Sequence, residues 1–158
     1  MDTCADKRQY KPIRSRGSIQ ALASQSTGRC AMDIESMERL ARRFVTAIES
    51  SDRAALEAIY APEAVVWHNY NNADQSRADN IAAIANHPKL FKSFQYTDIR
   101  RAYFDGGYVQ QHVAQGIKVG GQSFAVPVCM VVAVRGNQIT RVDEYFDSAQ
   151  DARPPQHR

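Results

Sequence analysis

The stretch GGQSFAVPVCMVVAVRGNQITRVDEYFDSA, residues 120–149, contains two runs of alternating side chains on either side of the pair Gly136-Asn137. Alternation with a period of two is typical of β-strands, and a short glycine-containing link between two such runs indicates an antiparallel hairpin. The first strand of this hairpin is apolar at its even-numbered positions from 124 to 134 and at most odd-numbered positions between them. A strand with one wet face should alternate with polar residues, so both faces of this strand are predicted to be covered.

More strands precede the hairpin, because the chain after Leu90 is divided by further glycine pairs. Gly106-Gly107 and Gly120-Gly121 separate runs rich in β-branched and aromatic residues. Short links of this kind favour antiparallel neighbours. The four strands predicted here run over 94–104, 108–119, 122–134 and 138–146.

Helical periodicity is confined to the first half of the chain. Asp33, Asp52 and Ser76 each stand before a stretch whose apolar residues recur every three or four positions, as capping residues do at helix starts. Three helices are predicted, over 34–50, 53–61 and 77–87, with a brief strand over 64–69 between the second and third. Helices grouped first and a strand meander second predict an α+β domain, with three helices packed on one face of a curved, mainly antiparallel sheet.

The length of 158 residues fits a single domain. Charge is distributed unevenly along the chain. Residues 1–31 carry six Lys or Arg against two Asp, a net charge of +4, so the rest of the chain carries −1 of the overall +3. We expect a disordered basic leader over 1–31, one domain over 32–150 and a flexible tail over 151–158. The domain itself offers no broad electrostatic attraction for nucleic acid or for an anionic membrane.

The leader has three interpretations. A transit peptide is disfavoured by Asp2 and Asp6, and a nucleic-acid-binding arm would be expected to carry more aromatic residues than Tyr10. The favoured interpretation is a non-structural extension, because Met32 directly precedes the first helix.

Several classes of protein are not indicated. The sequence has no apolar run of about 18 residues and no secretory signal, so a cytoplasmic location is expected. Cys4, Cys30 and Cys129 lack metal-type spacing and are expected to be reduced thiols. There is no glycine-rich phosphate loop or nucleophile elbow, and the four histidines are scattered, so neither a metal nor a cofactor is expected.

Glu144 is the first candidate catalytic residue. It shares a strand face with Val142 and Phe146, so its carboxylate should be desolvated between apolar neighbours. Such a group is a candidate acid or base. The alternative is a buried glutamate that pairs with an Arg or His only to satisfy its own charge.

His112 is the second candidate. It shares a face with Tyr108, Gln110 and Ala114, a polar combination that suits a cavity wall. An imidazole transfers protons near neutral pH, and a nearby carboxylate would fix its tautomer. The alternative is a structural histidine.

The stretch VVWHNYNNADQS, residues 65–76, contains further candidates. Strand parity places Trp67 and Asn69 on one face and His68 on the other, unless a bulge intervenes. We expect Trp67 and Asn69 to face the pocket. The alternatives are core packing for Trp67 and a turn role for Asn69.

At two segments the sequence resembles a known superfamily. ITRVDEYFD, residues 139–147, is similar to the end of limonene-1,2-epoxide hydrolases, and YAPEAVVWHN, residues 60–69, resembles the first strand of ketosteroid isomerases and SnoaL-like polyketide cyclases. The resemblance to the nuclear transport factor 2-like superfamily covers residues 33 to about 150. It implies a cone-shaped α+β fold whose sheet encloses a pocket.

The epoxide hydrolase resemblance implies an incomplete catalytic set. Trp67 and Asn69 stand where that family has a water-holding tyrosine and asparagine, so only the amide is kept. His112 and Ala114 replace its arginine and first aspartate, and Glu144 replaces its second aspartate. Because Ala114 cannot hold a proton, the Asp-Arg-Asp relay is broken.

The ketosteroid isomerase resemblance is also incomplete. Phe44 and Met130 stand near the positions of the tyrosine and aspartic acid that stabilise the dienolate in that family. The general-base aspartate of that family falls on His68 or Asn69. Classical steroid isomerisation is therefore not expected.

These observations lead to two functional hypotheses for one apolar pocket. The first is a cofactor-independent enzyme of isomerase, cyclase or hydrolase type acting on a hydrophobic small molecule, in which His112 supported by Glu144 moves a proton and Asn69 orients the reacting oxygen. The second is a non-catalytic protein that binds an apolar metabolite. We further expect a homodimer joined through the sheet, and no nucleic-acid or membrane partner. The predicted ligand-binding residues are Trp67, His68, Tyr108, Val126, Val128, Met130 and Phe146.

Overall fold

The computed structural model describes residues 32–147 and residue 149. The predicted leader over 1–31 and the tail over 151–158 lie outside these residues. The helices are α1 (Ile34–Glu49), α2 (Arg53–Ile59), α3 (Arg77–Ala85) and α4 (His87–Leu90). The strands are β1 (Tyr60–His68), β2 (Ala73–Ser76), β3 (Phe91–Phe104), β4 (Gly107–Lys118), β5 (Ser123–Arg135) and β6 (Gln138–Phe146).

The three predicted helix caps are present. The side chain of Asp33 accepts a hydrogen bond from the backbone N–H of Ser36, and that of Asp52 accepts one from Ala55. Ser76 accepts a hydrogen bond from the N–H of Asp79 in the same way. Each cap satisfies one of the N–H groups that a helix start leaves without an internal partner, and so determines where the helix begins.

The six strands form one sheet in the order β2-β1-β6-β5-β4-β3. The predicted meander is confirmed, since β3, β4, β5 and β6 pair antiparallel in sequence order. β1, which precedes the meander in the chain, lies beside β6 and pairs with it in parallel, with His68 opposite Glu144. The sheet is curved and α1 packs on its concave face, as the α+β prediction requires.

Two short elements differ from the sequence prediction. β2 is a four-residue, mostly exposed strand, whose polar sequence gives no alternating apolar signal. The sequence around Pro88 predicted the end of a helix, but Pro88 lies in the first turn of α4, where the missing N–H of proline costs nothing. β1 also begins at Tyr60 rather than at residue 64.

The main core lies between α1 and the concave face of the sheet. Leu40, Phe44 and Ile48 form the buried face of α1, and they pack with strand residues such as Met130 and Val132. On the opposite, convex face, the odd-numbered side chains of β5 are half-buried or exposed in the single chain. The prediction that both faces of β5 are covered therefore holds within one chain for the concave face alone.

We predict that Gly116→Ala destabilises the fold by about 2 kcal/mol, because a small-to-large change in a packed position forces the backbone to move. A Cβ at Gly116 would lie 1.9 Å from the backbone oxygen of Ser93 on the neighbouring strand. Gly120→Ala is the control, because a Cβ there would meet only the flexible end of the Gln122 side chain. Urea unfolding of both variants measures the difference, and equal midpoints would contradict the close approach of β3 and β4.

Candidate functional site

A cavity of about 340 Å³ lies between the concave face of the sheet and helices α1, α3 and α4. This volume is at the low end of the range of about 300–1,000 Å³ that is usual for small-molecule sites. The predicted wall residues Val126, Val128, Met130 and Phe146 line the cavity. They lie on alternate positions of β5 and at the end of β6, so strand parity predicted their common face.

One end of the cavity is built from aromatic rings. Phe91, Phe94 and Phe124 pack against one another, with ring centroids 5.1 Å to 6.1 Å apart. The ring of His87 joins this group at 4.8 Å from Phe94. This end therefore combines rings from the continuous α4–β3 segment with Phe124 at the start of β5.

The cavity also contains a contact between two titratable side chains. Nε2 of His68 lies 3.1 Å from Oε2 of Glu144, and both side chains line the cavity with 14% and 19% of their surface exposed. They meet because the parallel ladder between β1 and β6 places the two residues directly opposite each other.

The contact with Glu144 determines the hydrogen-bonding roles of the two His68 nitrogens. A carboxylate accepts hydrogen bonds, so Nε2 of neutral His68 carries the proton and Nδ1 keeps its lone pair. The ring of Tyr70 lies 5.4 Å from that of His68 and 5.3 Å from that of Phe146. His68 is therefore a potential base held beside a carboxylate and next to the ring of Tyr70.

Trp67 and Asn69 do not line the cavity, contrary to the expectation from the sequence. Parity correctly separated them from His68, but the strand presents the other face to the cavity. Trp67 packs edge-on against Tyr145, at a centroid distance of 5.2 Å, on the convex side of the sheet.

Asn69 connects the ends of two strands. Its side-chain Nδ2 donates to the backbone oxygen of Phe146, and its Oδ1 accepts from the Phe146 N–H, both at 3.0 Å. These bonds extend the β1–β6 ladder beyond His68 and occupy both ends of the amide. Asn69 thus positions the strand end rather than facing the cavity.

His112 points to the concave side but is covered. It is 3% exposed, and the ring of Tyr96 stacks on it at a centroid distance of 3.9 Å. His112 does not contact Glu144, because β5 lies between their strands and Met130 is the paired residue of Glu144. The predicted pair of His112 with Glu144 is therefore replaced by the pair of His68 with Glu144.

A buried polar chain determines the tautomer of His112. Nε of Arg101 donates to Oε1 of Gln110 at 2.8 Å, which orients the Gln110 amide nitrogen toward Nδ1 of His112 at 3.2 Å. Nδ1 then accepts, and the ring proton is on Nε2. Burial lowers the pKa of His112 to about 4, the negative charge of Glu144 opposes this, and Arg101 adds to the lowering.

Tyr108, a predicted ligand-binding residue, lies in the core. It is fully buried and does not line the cavity. Burial is the main reason that its pKa is raised. Its strand face was predicted correctly, but α1 and its neighbours in the sheet cover it.

Sequence reasoning missed a second polar wall. The hydroxyl of Tyr60 donates to Oδ1 of Asn80 at 3.0 Å, and Nδ2 of Asn80 donates to Oε1 of Gln75 at 3.0 Å. All three line the cavity. Asn80 carried a usable signal, because it shares the apolar face of α3 with Ile84.

His87 was also missed. It lines the cavity, and its Nδ1 is buried with no hydrogen-bond partner among the described residues. Burial lowers the pKa of His87, and the charge of Glu144 opposes the change. Its position beside Pro88 suggested a helix end and concealed its place in the site.

The part of the chain that the structure describes contains neither a candidate metal cluster nor a candidate membrane span. No group of three His, Cys, Asp or Glu side chains could hold a metal ion there. No helix in that part of the chain is long and apolar enough to cross a membrane.

The mixed sheet, packed on helices around a cavity, has the nuclear transport factor 2-like α+β fold. Similar structures include a ketosteroid isomerase-like protein from Catenulispora acidiphila solved with trimethylamine (19% identity, 73% of this chain and 93% of that chain, TM-score 0.64). A candidate polyketide cyclase from Xanthomonas campestris is also similar (22% identity, 73% of this chain and 96% of that chain, TM-score 0.64). So is a nuclear transport factor 2-like protein from Burkholderia xenovorans (16% identity, 79% of this chain and 99% of that chain, TM-score 0.65). At these identities the likeness establishes the fold.

The family follows from the sequence itself. The model of the SnoaL-like domain family matches residues 41–142, more than half of the chain, so the chain belongs to that family. No curated protein matches the sequence significantly.

We predict that His112 makes the fold acid-sensitive. Its pKa in the folded state is about 4, below the value of about 6.5 expected in the unfolded chain. The unfolded state therefore binds the proton more readily than the folded state. The contribution of neutral His112 to the free energy of unfolding is complete above about pH 6.5 and is lost as the pH falls toward 4. The largest change is on the order of 3 kcal/mol.

His112→Gln should flatten this part of the pH dependence, because glutamine does not titrate and can still accept from Gln110. Denaturant unfolding of both proteins between pH 4 and pH 8 measures the difference in free energy. Parallel curves for the two proteins would show that His112 does not titrate in this way.

Proposed function

We propose that the protein is a small pocket enzyme that carries out acid–base chemistry on a hydrophobic small molecule, of isomerase, cyclase or hydrolase type. The observation that supports it best is the contact of His68 with Glu144 inside an otherwise largely apolar cavity. A titratable pair in such surroundings suits proton transfer better than it suits stability.

His68 is the proposed general base. Its Nδ1 lone pair takes a proton from the bound molecule, while Nε2–H remains hydrogen-bonded to Glu144. The carboxylate stabilises the imidazolium that forms and keeps the ring oriented, as a carboxylate does for a catalytic histidine. The imidazolium can then return the proton to another atom of the same molecule, which isomerisation and cyclisation require.

This assignment changes the roles that the sequence indicated. Glu144 keeps its place beside a histidine, but as a positioning residue for His68 rather than for His112. Asn69 supports the site by holding Phe146 and the end of β6 in place. Its amide is occupied there, so it does not orient the reacting oxygen.

The relatives support a small organic ligand. One was solved with trimethylamine, and two are described as candidate polyketide cyclases. The alternative, a binding protein without catalysis, is favoured by the fact that His112 and Asn69 are both engaged elsewhere, which leaves one dyad facing the cavity.

We predict that the protein catalyses base-promoted ring opening of 5-nitrobenzisoxazole, a small flat neutral molecule whose C–H proton is removed in a single step. His68→Gln should lower kcat/KM by about 100-fold or more, because the general base is lost. Glu144→Gln should lower it by about tenfold and shift the pH profile, since a positioning residue also tunes the basicity of the imidazole. Release of the nitrophenolate product is followed by absorbance.

Asp143→Asn is the matched control, because it removes a carboxylate one residue away, on a side chain that pairs with Arg141 rather than His68. Its activity should equal that of the unchanged protein. If His68→Gln is also fully active, proton abstraction by His68 is ruled out. If the unchanged protein is itself inactive, the binding-protein alternative gains support.

We further propose a homodimer formed through the convex face of the sheet. Cys129, Val131 and Ala133 of β5 are half-buried there, and Tyr145 is 47% exposed. A second copy would remove this apolar surface from water. The cytoplasmic location expected from the sequence remains a prediction.

Light scattering coupled to size-exclusion chromatography should give twice the chain mass for the unchanged protein. Val131→Lys should give the mass of one chain, because a lysine at the centre of the interface is desolvated without a partner. Val119→Lys, at an exposed position in the turn after β4, should remain dimeric. A monomeric unchanged protein at micromolar concentration would contradict the proposal.

A further inference from the structure

The side chains that line the cavity are strongly unbalanced in charge. Among the described lining residues, Glu144 is the one that carries a formal charge at neutral pH when the histidines are neutral. No Lys, Arg or Asp is among these residues. A ligand that enters therefore meets one negative group and no fixed positive group.

Glu144 still has capacity to bind a ligand. Its contact with His68 uses Oε2, and no hydrogen bond from a described residue to Oε1 is present, so Oε1 can make a second interaction. A neutral His68 contributes a dipole but no charge, so the pair as a whole carries one negative charge.

The negative charge of Glu144 influences groups throughout the cavity. Burial is the main reason that the pKa of Tyr60 and of Tyr96 is raised, and the charge of Glu144 raises both further. At His87 in α4, the same charge opposes the lowering of the pKa that burial causes. At a partly buried site such a charge is less screened than in water, so its attraction for a cation is stronger.

Aromatic rings reinforce this preference beside the carboxylate. The Tyr70 and Phe146 rings lie 5.3 Å apart, and both line the cavity with Glu144. The face of an aromatic ring carries partial negative charge and attracts an ammonium group, and it repels a carboxylate or phosphate.

We propose that the cavity selects a hydrophobic amine in its ammonium form, with the cation beside Glu144, Tyr70 and Phe146 and the hydrocarbon part among Phe91, Phe94 and Phe124. The inference deepens the proposed function, on which it rests in placing the ligand beside Glu144. It concerns binding of the ground state, whereas the proposed function concerns proton removal by His68.

The test uses benzyltrimethylammonium and its uncharged carbon analogue neopentylbenzene, which have nearly the same shape. Phenylacetate is the anionic comparison. The permanent charge of the first probe removes any dependence on its own protonation. Binding is followed by the NMR signal of the Met130 methyl group, which belongs to a buried side chain of the cavity wall.

We expect the cation to bind about tenfold more tightly than its neutral analogue, as cation–π and carboxylate contacts in a partly desolvated site allow. Phenylacetate should bind more weakly than either. Glu144→Gln should abolish the preference for the cation and leave the affinity for neopentylbenzene within about twofold. Asp143→Asn should leave the affinities for all three probes unchanged, because it removes a charge that pairs with Arg141 and does not line the cavity.

Equal affinity for the cation and its neutral analogue in the unchanged protein would overturn the proposal, as would an equal loss of cation affinity in the Asp143→Asn protein. These outcomes are distinct from failure of the proposed function. Loss of ring-opening activity in His68→Gln together with no cation preference would leave the enzyme proposal standing and refute the amine. A cation preference without any activity would do the reverse.

Discussion

The parallel pairing of β1 with β6 is the constraint on which the site depends. This pairing places His68 opposite Glu144. The backbone N–H of Asn69 continues the ladder by donating to the backbone oxygen of Glu144 at 3.1 Å. The two bonds from the Asn69 side chain to Phe146 then close the ladder. A slip of one residue would turn His68 to the convex side and bring Trp67 or Asn69 into the cavity, because side chains alternate along a strand. Pairing between distant parts of the chain therefore determines which histidine is a candidate base.

Local signals were sufficient to predict the α+β class and most of its elements. Capping residues, helical periodicity and glycine-containing turns each act over a few residues, and they predicted α1, α2, α3 and the four-stranded meander. The same signals separated Trp67 from His68 but could not decide which of them faces inward. That choice depends on the pairing of β1 with β6, which lies more than 70 residues further along the chain. β2 escaped prediction because it is short, polar and exposed.

His112 shows why a correct strand face does not by itself define a site. The face was predicted correctly, since His112 pairs with the cavity residue Val128. A bulge in β3 lies between Thr97 and Arg100, next to Tyr96, whose ring covers the imidazole. On the core side, Gln110, itself held by Arg101, hydrogen-bonds Nδ1 of the ring. Covered in this way, His112 is held neutral, and its role is structural.

Two partly buried carboxylates in this fold are treated very differently, and the difference supports a functional role for one of them. Glu38 is 27% exposed and receives contacts from Arg42, Arg101 and Tyr103, so its charge is compensated. Glu144 is less exposed, at 19%, yet among the described residues its side chain contacts a single histidine. Withdrawing a carboxylate from water is unfavourable unless paired charge and hydrogen bonds replace the solvent. A glutamate selected for stability alone would be expected to resemble Glu38, whereas Glu144 keeps an uncompensated charge that a bound molecule can use.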